Sequence, residues 1–160
     1  MTHTVSLHVN GKHQQSEVDA GTPLIDHLRH GLRLTGAHVG CRSASCGACT
    51  VLLDGRTVKS CCVLAVEADG AEVETVENGD DELDDIQRAF VEAQAMQCGF
   101  CTPGMIVSVR ALLAENPHPS DDEARAAIRG NLCRCTGYTN ILKAITMAAE
   151  NRDESSLSTE

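Results

Sequence analysis

The first half of the chain alternates apolar and polar residues with the period of β-strands. Val5, Leu7 and Val9 are separated by polar residues, and Asn10-Gly11 then supplies the turn of a hairpin whose second strand includes residues 16–18. Further strands are predicted over residues 50–53, 57–66 and 72–76, with turns at Asp54-Gly55 and Asp69-Gly70. These segments predict a sheet of short strands.

A helix is predicted between the second and third strands. Thr22 is a good N-cap residue, and Pro23 suits the first helical position. The apolar residues that follow fall on one helical face before Gly36, and they are Leu24, Ile25, Leu28 and Leu32. We therefore expect a small mixed sheet with one helix packed across it.

After an acidic, glycine-containing stretch, the apolar residues recur with the period of helices. Four helices are predicted. The first is marked by Leu83, Ile86, Phe90 and Val91, and the second opens at Thr102-Pro103 and carries Ile106, Val109, Leu112 and Leu113. The third has a capping box of Ser120 and Glu123 and closes near Gly130, and the fourth covers residues 141–149. The chain is therefore predicted to be α+β, with a strand-rich half before a helical half.

The predicted domain boundaries follow from this change of period. The strand-rich domain is placed at residues 1–77, a linker at 78–85, the helical domain at 86–150 and a polar, disordered tail at 151–160. Each domain of this 160-residue chain can bury only a thin apolar core. Something besides packing is therefore expected to hold each half together.

Composition and charge narrow the choice of partner. Aromatic residues are only 2 % of the chain, which removes the stacking surfaces that bind single-stranded nucleic acid, and the net charge of -10 repels phosphate backbones and anionic lipid. The N-terminus has no basic segment, apolar segment or twin arginine, and no apolar run has membrane-spanning length. We therefore predict a cytoplasmic protein without nucleic-acid partners or membrane insertion.

The nine cysteines are the strongest chemical signal, and in a reducing compartment such a density favours metal ligands over disulfides. The first set, C-x4-C-x2-C with a fourth cysteine after eleven intervening residues, has the plant-type ferredoxin spacing for a 2Fe-2S cluster. Its members are Cys41, Cys46, Cys49 and Cys61. On the predicted strand, adjacent side chains point to opposite faces, so we expect Cys61 to be the ligand and Cys62 to be a buried small apolar residue.

The second set, C-x2-C and then C-x-C, lies where predicted helices begin or end, and helix N-termini favour thiolates and anionic clusters. Its members are Cys98, Cys101, Cys133 and Cys135. Spacing alone leaves a zinc site, a thioredoxin-like dithiol at Cys98 and Cys101, and a disulfide framework open. A cluster is favoured over zinc because the C-x-C pair is too tight for common zinc ribbons. It is favoured over a dithiol because no βαβ pattern surrounds Cys98 and Cys101, and over a disulfide framework because the number of cysteines, nine, is odd.

The remaining residues carry no recognisable catalytic motif. The sequence has no G-x-S-x-G elbow, no phosphate loop and no G-x-G-x-x-G after a strand. None of the seven histidines has the Cys-x-His arrangement of a Rieske centre, so no ligand role is predicted for them. Two clusters without a substrate site predict electron transfer.

Three stretches resemble the iron-sulfur subunit or domain of the xanthine oxidase family of molybdenum hydroxylases. They are GCRSASCGACTVLLDG with VKSC (residues 40–61), QCGFCTPGM (residues 97–105) and GNLCRCTGY with NILKAI (residues 130–145). The resemblance covers residues 3–149. It implies an N-terminal β-grasp 2Fe-2S ferredoxin-like domain followed by an all-α four-helix 2Fe-2S domain.

The resemblance also implies partner subunits and a direction of electron flow. A large subunit would hold molybdenum with molybdopterin cytosine dinucleotide, and a medium subunit would hold FAD, in a dimer of heterotrimers. The second cysteine set would lie nearer to molybdenum, and the first would face the flavin. Gln97 and Cys135 match positions that contact the molybdopterin across the subunit boundary.

Within the family, the Val58-Lys59-Ser60-Cys61 run and the Glu115-Asn116-Pro117 stretch look most like aerobic carbon monoxide dehydrogenase and related nicotine or N-heterocycle hydroxylases. Aldehydes are a further substrate class, and the large subunit would select among them. Ala44 stands where many members have glycine, and alanine disfavours positive φ. The alternative function is a stand-alone ferredoxin-type carrier.

Overall fold

The computed structural model describes residues 1–79 and 82–157, with side chains as far as residue 152. Within this range one mixed sheet has the strand order β2-β1-β5-β3-β4: β1 (Thr2–Val9), β2 (Lys12–Asp19), β3 (Thr50–Leu53), β4 (Arg56–Lys59) and β5 (Glu72–Glu74). β1 and β5 are parallel, and the other neighbouring pairs are antiparallel. The mixed sheet is as predicted.

Two-residue turns close both hairpins of the sheet. Asn10 and Gly11 have φ values of 49° and 72°, and Asp54 and Gly55 have values of 49° and 74°. Positive φ at both central residues gives the turn a twist that matches the antiparallel strands. The hairpin turns predicted at Asn10-Gly11 and Asp54-Gly55 are confirmed.

The helix after β2 is shorter than predicted and begins later. α1 (Leu24–Asp26) continues as a π-helical turn at His27–Gly31. Thr22 is not the N-cap residue, because Pro23 occupies that position with an extended backbone, which its β-bridge to Leu64 requires. The predicted apolar face is nevertheless buried at Leu24, Ile25 and Leu28.

The strand predicted over residues 57–66 is wrong beyond Lys59, where β4 ends. A 3₁₀ turn follows at Ser60–Cys62. The N–H and hydroxyl groups of Ser60 both donate to the carbonyl oxygen of Cys49, at 3.3 and 2.6 Å. The backbone bond keeps the β3–β4 register for one more residue pair, and the chain then leaves the sheet, where residues 63–65 bond to residues 22–24 instead.

Four helices follow in the described part of the second half: α2 (Asp85–Glu92), α3 (Thr102–Glu115), α4 (Asp121–Ile128) and α5 (Thr139–Leu157). The predicted start of α3 is confirmed. The capping box of α4 is also present, since Ser120 Oγ accepts from the Glu123 N–H and the Glu123 carboxylate accepts from the Ser120 N–H.

The apolar face of α2 differs from the prediction. Ile86 and Phe90 are buried, but Leu83 precedes the helix and is exposed. Val91 is also exposed, because one residue beyond Phe90 the side chain points about 100° further around the helix axis. The packed face of α2 is therefore narrower than predicted.

The helical domain also differs from the prediction at its ends. α5 makes residues 151–157 helical where a disordered tail is predicted, because no proline or glycine interrupts the segment. Residues 80 and 81 of the predicted linker and residues 158–160 of the predicted tail lie outside the described residues.

Each half has its own aliphatic core. The helical core surrounds Phe90 and includes Ile86, Met105, Ile141 and Ile145. The sheet core lies under α1 and includes Leu7, Leu24, Ile25, Leu28, Val51 and Val73. In the part of the chain that the structure describes, no helix is long and apolar enough to cross a bilayer.

Candidate metal centres

The loop before β3 coils around the first cysteine set. Arg42 and Ala44 have positive φ values of 55° and 61°, which turn successive N–H groups inward. Ala44 thus adopts the conformation that its Cβ disfavours. The backbone nitrogen atoms of Ser43 and Cys46 lie 3.4 and 3.3 Å from Cys41 Sγ. Hydrogen bonds from the side chain and N–H of Ser43 and from the N–H of Cys46 lower the pKa of Cys41 to about 6.

Cys49 lies at the base of this loop and is buried. Burial raises the pKa of its thiol to about 11, because a bare thiolate would lose its hydration there. The thiol interacts with those of Cys61 and Cys46. A cation bound at this point would stabilise the thiolate, as a metal ligand requires.

The adjacent pair at the end of β4 is arranged differently from the prediction. Cys61 is half-buried against the sheet core, whereas Cys62 is exposed, and their Sγ atoms are 3.7 Å apart. The predicted burial of Cys62 is wrong because this segment is a 3₁₀ turn, in which successive side chains do not alternate between two faces. A hydrogen bond to Cys61 raises the pKa of Cys62.

The second cysteine set is brought together from two loops that precede helices. Cys101 is the N-cap residue of α3, and Cys133 and Cys135 lie in the loop before α5. Cys135 Sγ is 3.5 Å from Cys98 Sγ, and the thiols of Cys101 and Cys133 also interact. The structure therefore pairs each thiol of the C-x2-C segment with one of the C-x-C segment.

Burial and hydrogen bonding tune these thiols in opposite directions. Burial raises the pKa of Cys101 to about 12. The backbone N–H of Phe100 lowers the pKa of Cys98. At Cys133 burial acts to raise the pKa, but hydrogen bonds from Thr136 outweigh it and lower the pKa.

This donor chemistry fits an anionic iron-sulfur cluster at each site. Each site offers four thiols, together with N–H groups that point at sulfur, as at Cys41 and Cys133. Among the described residues, no three or more cysteine, histidine or acidic side chains converge closely enough to hold a single metal ion. At the second site the thiols lie in neighbouring pairs, Cys98 with Cys135 and Cys101 with Cys133, and these residues would hold the cluster.

A buried polar junction, which is not evident from the sequence, joins the two sites. The N–H of Leu132 donates to the Cys46 carbonyl oxygen at 2.8 Å. Thr50 Oγ1 lies 3.0 Å from Asn131 Oδ1, and Asn131 Nδ2 donates to Ser108 Oγ at 2.6 Å. The only signal in the sequence was the presence of a polar asparagine and small residues beside the cysteines.

Small residues let the two loops approach each other at this junction. A Cβ atom at Gly47 would overlap the side chain of Asn131 and the backbone carbonyl of Gly130, and one at Gly104 would overlap the carbonyl of Gly47. The two glycines therefore set the distance between the domains.

Lys59 at the end of β4 also lies beside the first site, and its role there is not evident from the sequence. Its Nζ donates to Thr50 Oγ1 at 2.8 Å. Desolvation lowers the pKa of Lys59, while the thiols of Cys49, Cys46 and Cys61 act in the opposite direction.

Gln97 and Cys135, which the family resemblance singled out, lie together on the surface of the second site. Gln97 Nε2 donates to the Cys135 carbonyl oxygen at 3.2 Å.

The ring of His38 stacks on that of Phe100 with their centroids 5.0 Å apart, and His38 Nδ1 is 2.9 Å from the Phe100 carbonyl oxygen.

Two protein-family models match the chain. The model described as a 2Fe-2S iron-sulfur cluster binding domain matches residues 7–75, and the model described as a 2Fe-2S binding domain matches residues 72–146. Each match contains one complete cysteine set. The zinc, dithiol and disulfide interpretations of the second set are therefore set aside.

The chain is also similar to known proteins over most of its length. It is 46 % identical over 142 residues to the nicotine 6-hydroxylase small subunit of Paenarthrobacter nicotinovorans, covering 88 % of this chain and 86 % of that protein. It is 49 % identical over 149 residues to the caffeine dehydrogenase subunit gamma of Pseudomonas sp. strain CBB1, covering 90 % and 89 %.

A solved structure agrees with these relatives. The crystal structure of quinoline 2-oxidoreductase from Pseudomonas putida 86 contains a chain that superposes with a TM-score of 0.91 at 44 % identity, covering 96 % of this chain and 97 % of that one. The cysteine spacing, the two domain matches and these relatives lead to one conclusion. The chain belongs to the family of small iron-sulfur subunits of molybdenum hydroxylases, which carry two 2Fe-2S domains.

Proposed function

We propose that this chain passes electrons one at a time from a molybdenum centre in a large subunit to FAD in a medium subunit. A 2Fe-2S cluster accepts and releases a single electron, which suits a relay between two centres that exchange electrons in pairs. The protein residues hold the two relay points at a fixed separation.

The observation that carries this proposal is the direct contact between the two cysteine sites. Cys46 of the first set and Leu132, the residue before Cys133 of the second set, share a backbone hydrogen bond of 2.8 Å. Close packing at Gly47 and Gly104 supports the same contact. A carrier that docks with one partner at a time would not need two sites held together in this way.

The ligand sets follow the pairing of thiols described above. The first cluster would be held by Cys41, Cys46, Cys49 and Cys61, and the second by Cys98, Cys101, Cys133 and Cys135. The interaction of the Cys61 thiol with that of buried Cys49 supports Cys61 as the fourth ligand of the first cluster.

The second site would face the large subunit. Cys98 and Cys135 are exposed, and Gln97 is bonded to the Cys135 backbone at the same edge. Phe100 and Leu132 are 47 % and 59 % exposed nearby, which is unusual for large apolar side chains and suits a covered surface. Gln97 and Cys135 would then contact the molybdopterin cytosine dinucleotide.

The substrate class proposed for the whole enzyme is an N-heterocycle. Nicotine, caffeine and quinoline, which appear in the names of the relatives above, all contain ring nitrogen. The large subunit would choose among such compounds, with carbon monoxide and aldehydes as the further classes to assay. A cytoplasmic dimer of heterotrimers and domain boundaries at residues 1–77 and 86–150 are part of the same proposal.

The test is purification of the chain from its native cell under mild conditions, followed by metal and cofactor analysis. We expect two larger subunits, molybdenum, FAD and roughly four irons per small chain, as two 2Fe-2S clusters require. Substrate reduction of FAD should be lost in a Cys49→Ser complex that keeps its molybdenum and its second cluster.

Each alternative gives a different result. A brown protein that purifies without partners would support the stand-alone ferredoxin and contradict the relay. Full iron content and full turnover in Cys49→Ser would contradict the ligand assignment of the first cluster.

A further inference from the structure

Lys59 is a half-buried cation beside the first cysteine site. It lies at the end of β4, two residues before Cys61, and its Nζ is held by Thr50 Oγ1 at 2.8 Å. Thr50 is itself buried and contacts Gly47 and Asn131. The ammonium group is therefore fixed in the junction between the two domains.

No carboxylate balances this charge in the part of the chain that the structure describes. The ion pairs found there join Arg42 to Asp26, Arg88 to Asp85 and Arg110 to Asp84. The groups that interact electrostatically with Lys59 are instead the thiols of Cys49, Cys46 and Cys61. A half-buried cation whose charged neighbours are all ligand thiols has the cluster as its natural counter-ion.

Arg42 provides a contrast on the same loop. Its guanidinium also lies near Cys61, but it is exposed and paired with Asp26 at 2.8 Å. Solvent and the aspartate both weaken the field of Arg42 at the cluster. Lys59 is less solvated and has no carboxylate partner among the described residues, so its field is stronger.

We propose that the positive charge of Lys59 raises the reduction potential of the first cluster relative to that of the second. This difference in potential makes electron flow toward the first cluster favourable. The inference rests on the proposed relay function. In that transfer the second cluster would be oxidised and the first reduced by one electron, with no bond or proton transferred. This step adds a negative charge beside Lys59, and a nearby cation stabilises the added charge.

The test is a redox titration of the purified complex, with each cluster followed by electron paramagnetic resonance. The signal that disappears in Cys49→Ser identifies the first cluster. Lys59→Met and Lys59→Gln should reduce the equilibrium constant for reduction of the first cluster by about tenfold or more, which is about 59 mV for one electron. The second cluster should shift less, and Lys59→Arg should retain most of the wild-type potential.

Lys12→Met is the matched control, because it removes the same charge from an exposed position on β2. Its first cluster should keep the wild-type potential. Equal shifts in Lys59→Met and Lys12→Met, or equal shifts of both clusters, would overturn the role of Lys59. Iron content and far-ultraviolet circular dichroism of each variant establish that both clusters and the fold are present.

The two proposals fail in different ways. If substrate reduces FAD through the wild-type chain but the neutral Lys59 variants keep the wild-type potential, the inference about Lys59 fails alone. If the chain purifies without partners, the relay fails, and a selective shift of the first cluster would still support the electrostatic effect of Lys59.

Discussion

At the scale of single residues, the pKa values of two cysteine thiols in one loop are shifted in opposite directions. Cys41 is exposed to N–H and hydroxyl donors that lower its pKa to about 6, whereas burial raises the pKa of Cys49 to about 11. Hydrogen bonds stabilise the thiolate without a metal, while the buried thiolate needs a bound cation. The two cysteines therefore contribute differently to cluster binding.

The adjacent thiols of Cys61 and Cys62 give a matched pair for testing the fourth ligand. Cys61→Ser should reduce occupancy of the first cluster severely, because Cys61 is the member of the pair that interacts with buried Cys49. Cys62→Ser should leave the cluster content unchanged, because the thiol that interacts with Cys49 is that of Cys61. Iron and sulfide analysis of both variants provides the measurement.

The double variant extends this test. If Cys61→Ser keeps a cluster that is lost when Cys62→Ser is added, then Cys62 serves as a substitute ligand 3.7 Å away. Loss of the cluster in Cys62→Ser alone would contradict the assignment of Cys61.

At the scale of elements, the cluster loop depends on glycine for space as well as for conformation. Gly47 and Gly55 have nearly the same positive φ, 77° and 74°, but a Cβ at Gly47 would meet Asn131 and Gly130, while one at Gly55 meets nothing within 4 Å. A comparison of alanine substitutions at these two glycines therefore separates the cost of steric overlap from the cost of backbone strain.

Gly55→Ala should cost about 1–2 kcal/mol of unfolding free energy, the usual cost of a left-handed conformation. Gly47→Ala should cost about 1–3 kcal/mol more, because the overlap must push the two loops apart. Chemical denaturation of both variants measures the difference. Equal losses of stability would show that the contact between the loops is not tightly packed.

At the scale of the whole molecule, Arg110 connects the helical half to the end of the sheet. From α3 it bonds to the carboxylate of Asp84 at 2.6 Å and to the carbonyl oxygens of Thr75, Val76 and Asn78. The guanidinium thereby satisfies backbone acceptors in the segment between the domains. Its side chain is only 12 % exposed, so these bonds are weakly screened.

Arg110→Ala should lower the unfolding free energy by about 2–4 kcal/mol, because it removes a charged donor from Asp84 and from three carbonyl groups at once. Arg88→Ala is the control, since the exposed Arg88–Asp85 pair at 3.8 Å should contribute less than about 1 kcal/mol. Urea unfolding curves compare them, and similar midpoints for the two variants would contradict the role of Arg110.

Cluster removal tests how far the metal centres hold the whole chain together. Each half has a thin aliphatic core, and cluster binding adds directly to the folding free energy. A loss of only about 2 kcal/mol per domain would lower the melting temperature by roughly 8–16 °C at this size. Calorimetry before and after removal of iron under reducing conditions measures it, and an unchanged melting temperature would contradict this expectation.

The sequence by itself determined the features that depend on near neighbours along the chain. Strand alternation, the turns at Asn10-Gly11 and Asp54-Gly55, and the Ser120 capping box are local, so their residues specify them directly. The two cysteine sets are similarly readable, because most ligands of each cluster come from short segments. The predicted strand beyond Lys59 failed because a local pattern does not show that residues 63–65 bond to residues 22–24.

Only the tertiary structure decided how the two sites are joined and which charges surround them. Thr50 and Asn131 are 81 residues apart, and their contact arises only when the loop before β3 packs against the start of the second cysteine loop. The same packing leaves Lys59 half-buried without a carboxylate partner in the described part of the chain. Spacing along a sequence carries no information about such distant contacts, because they depend on how whole elements pack together.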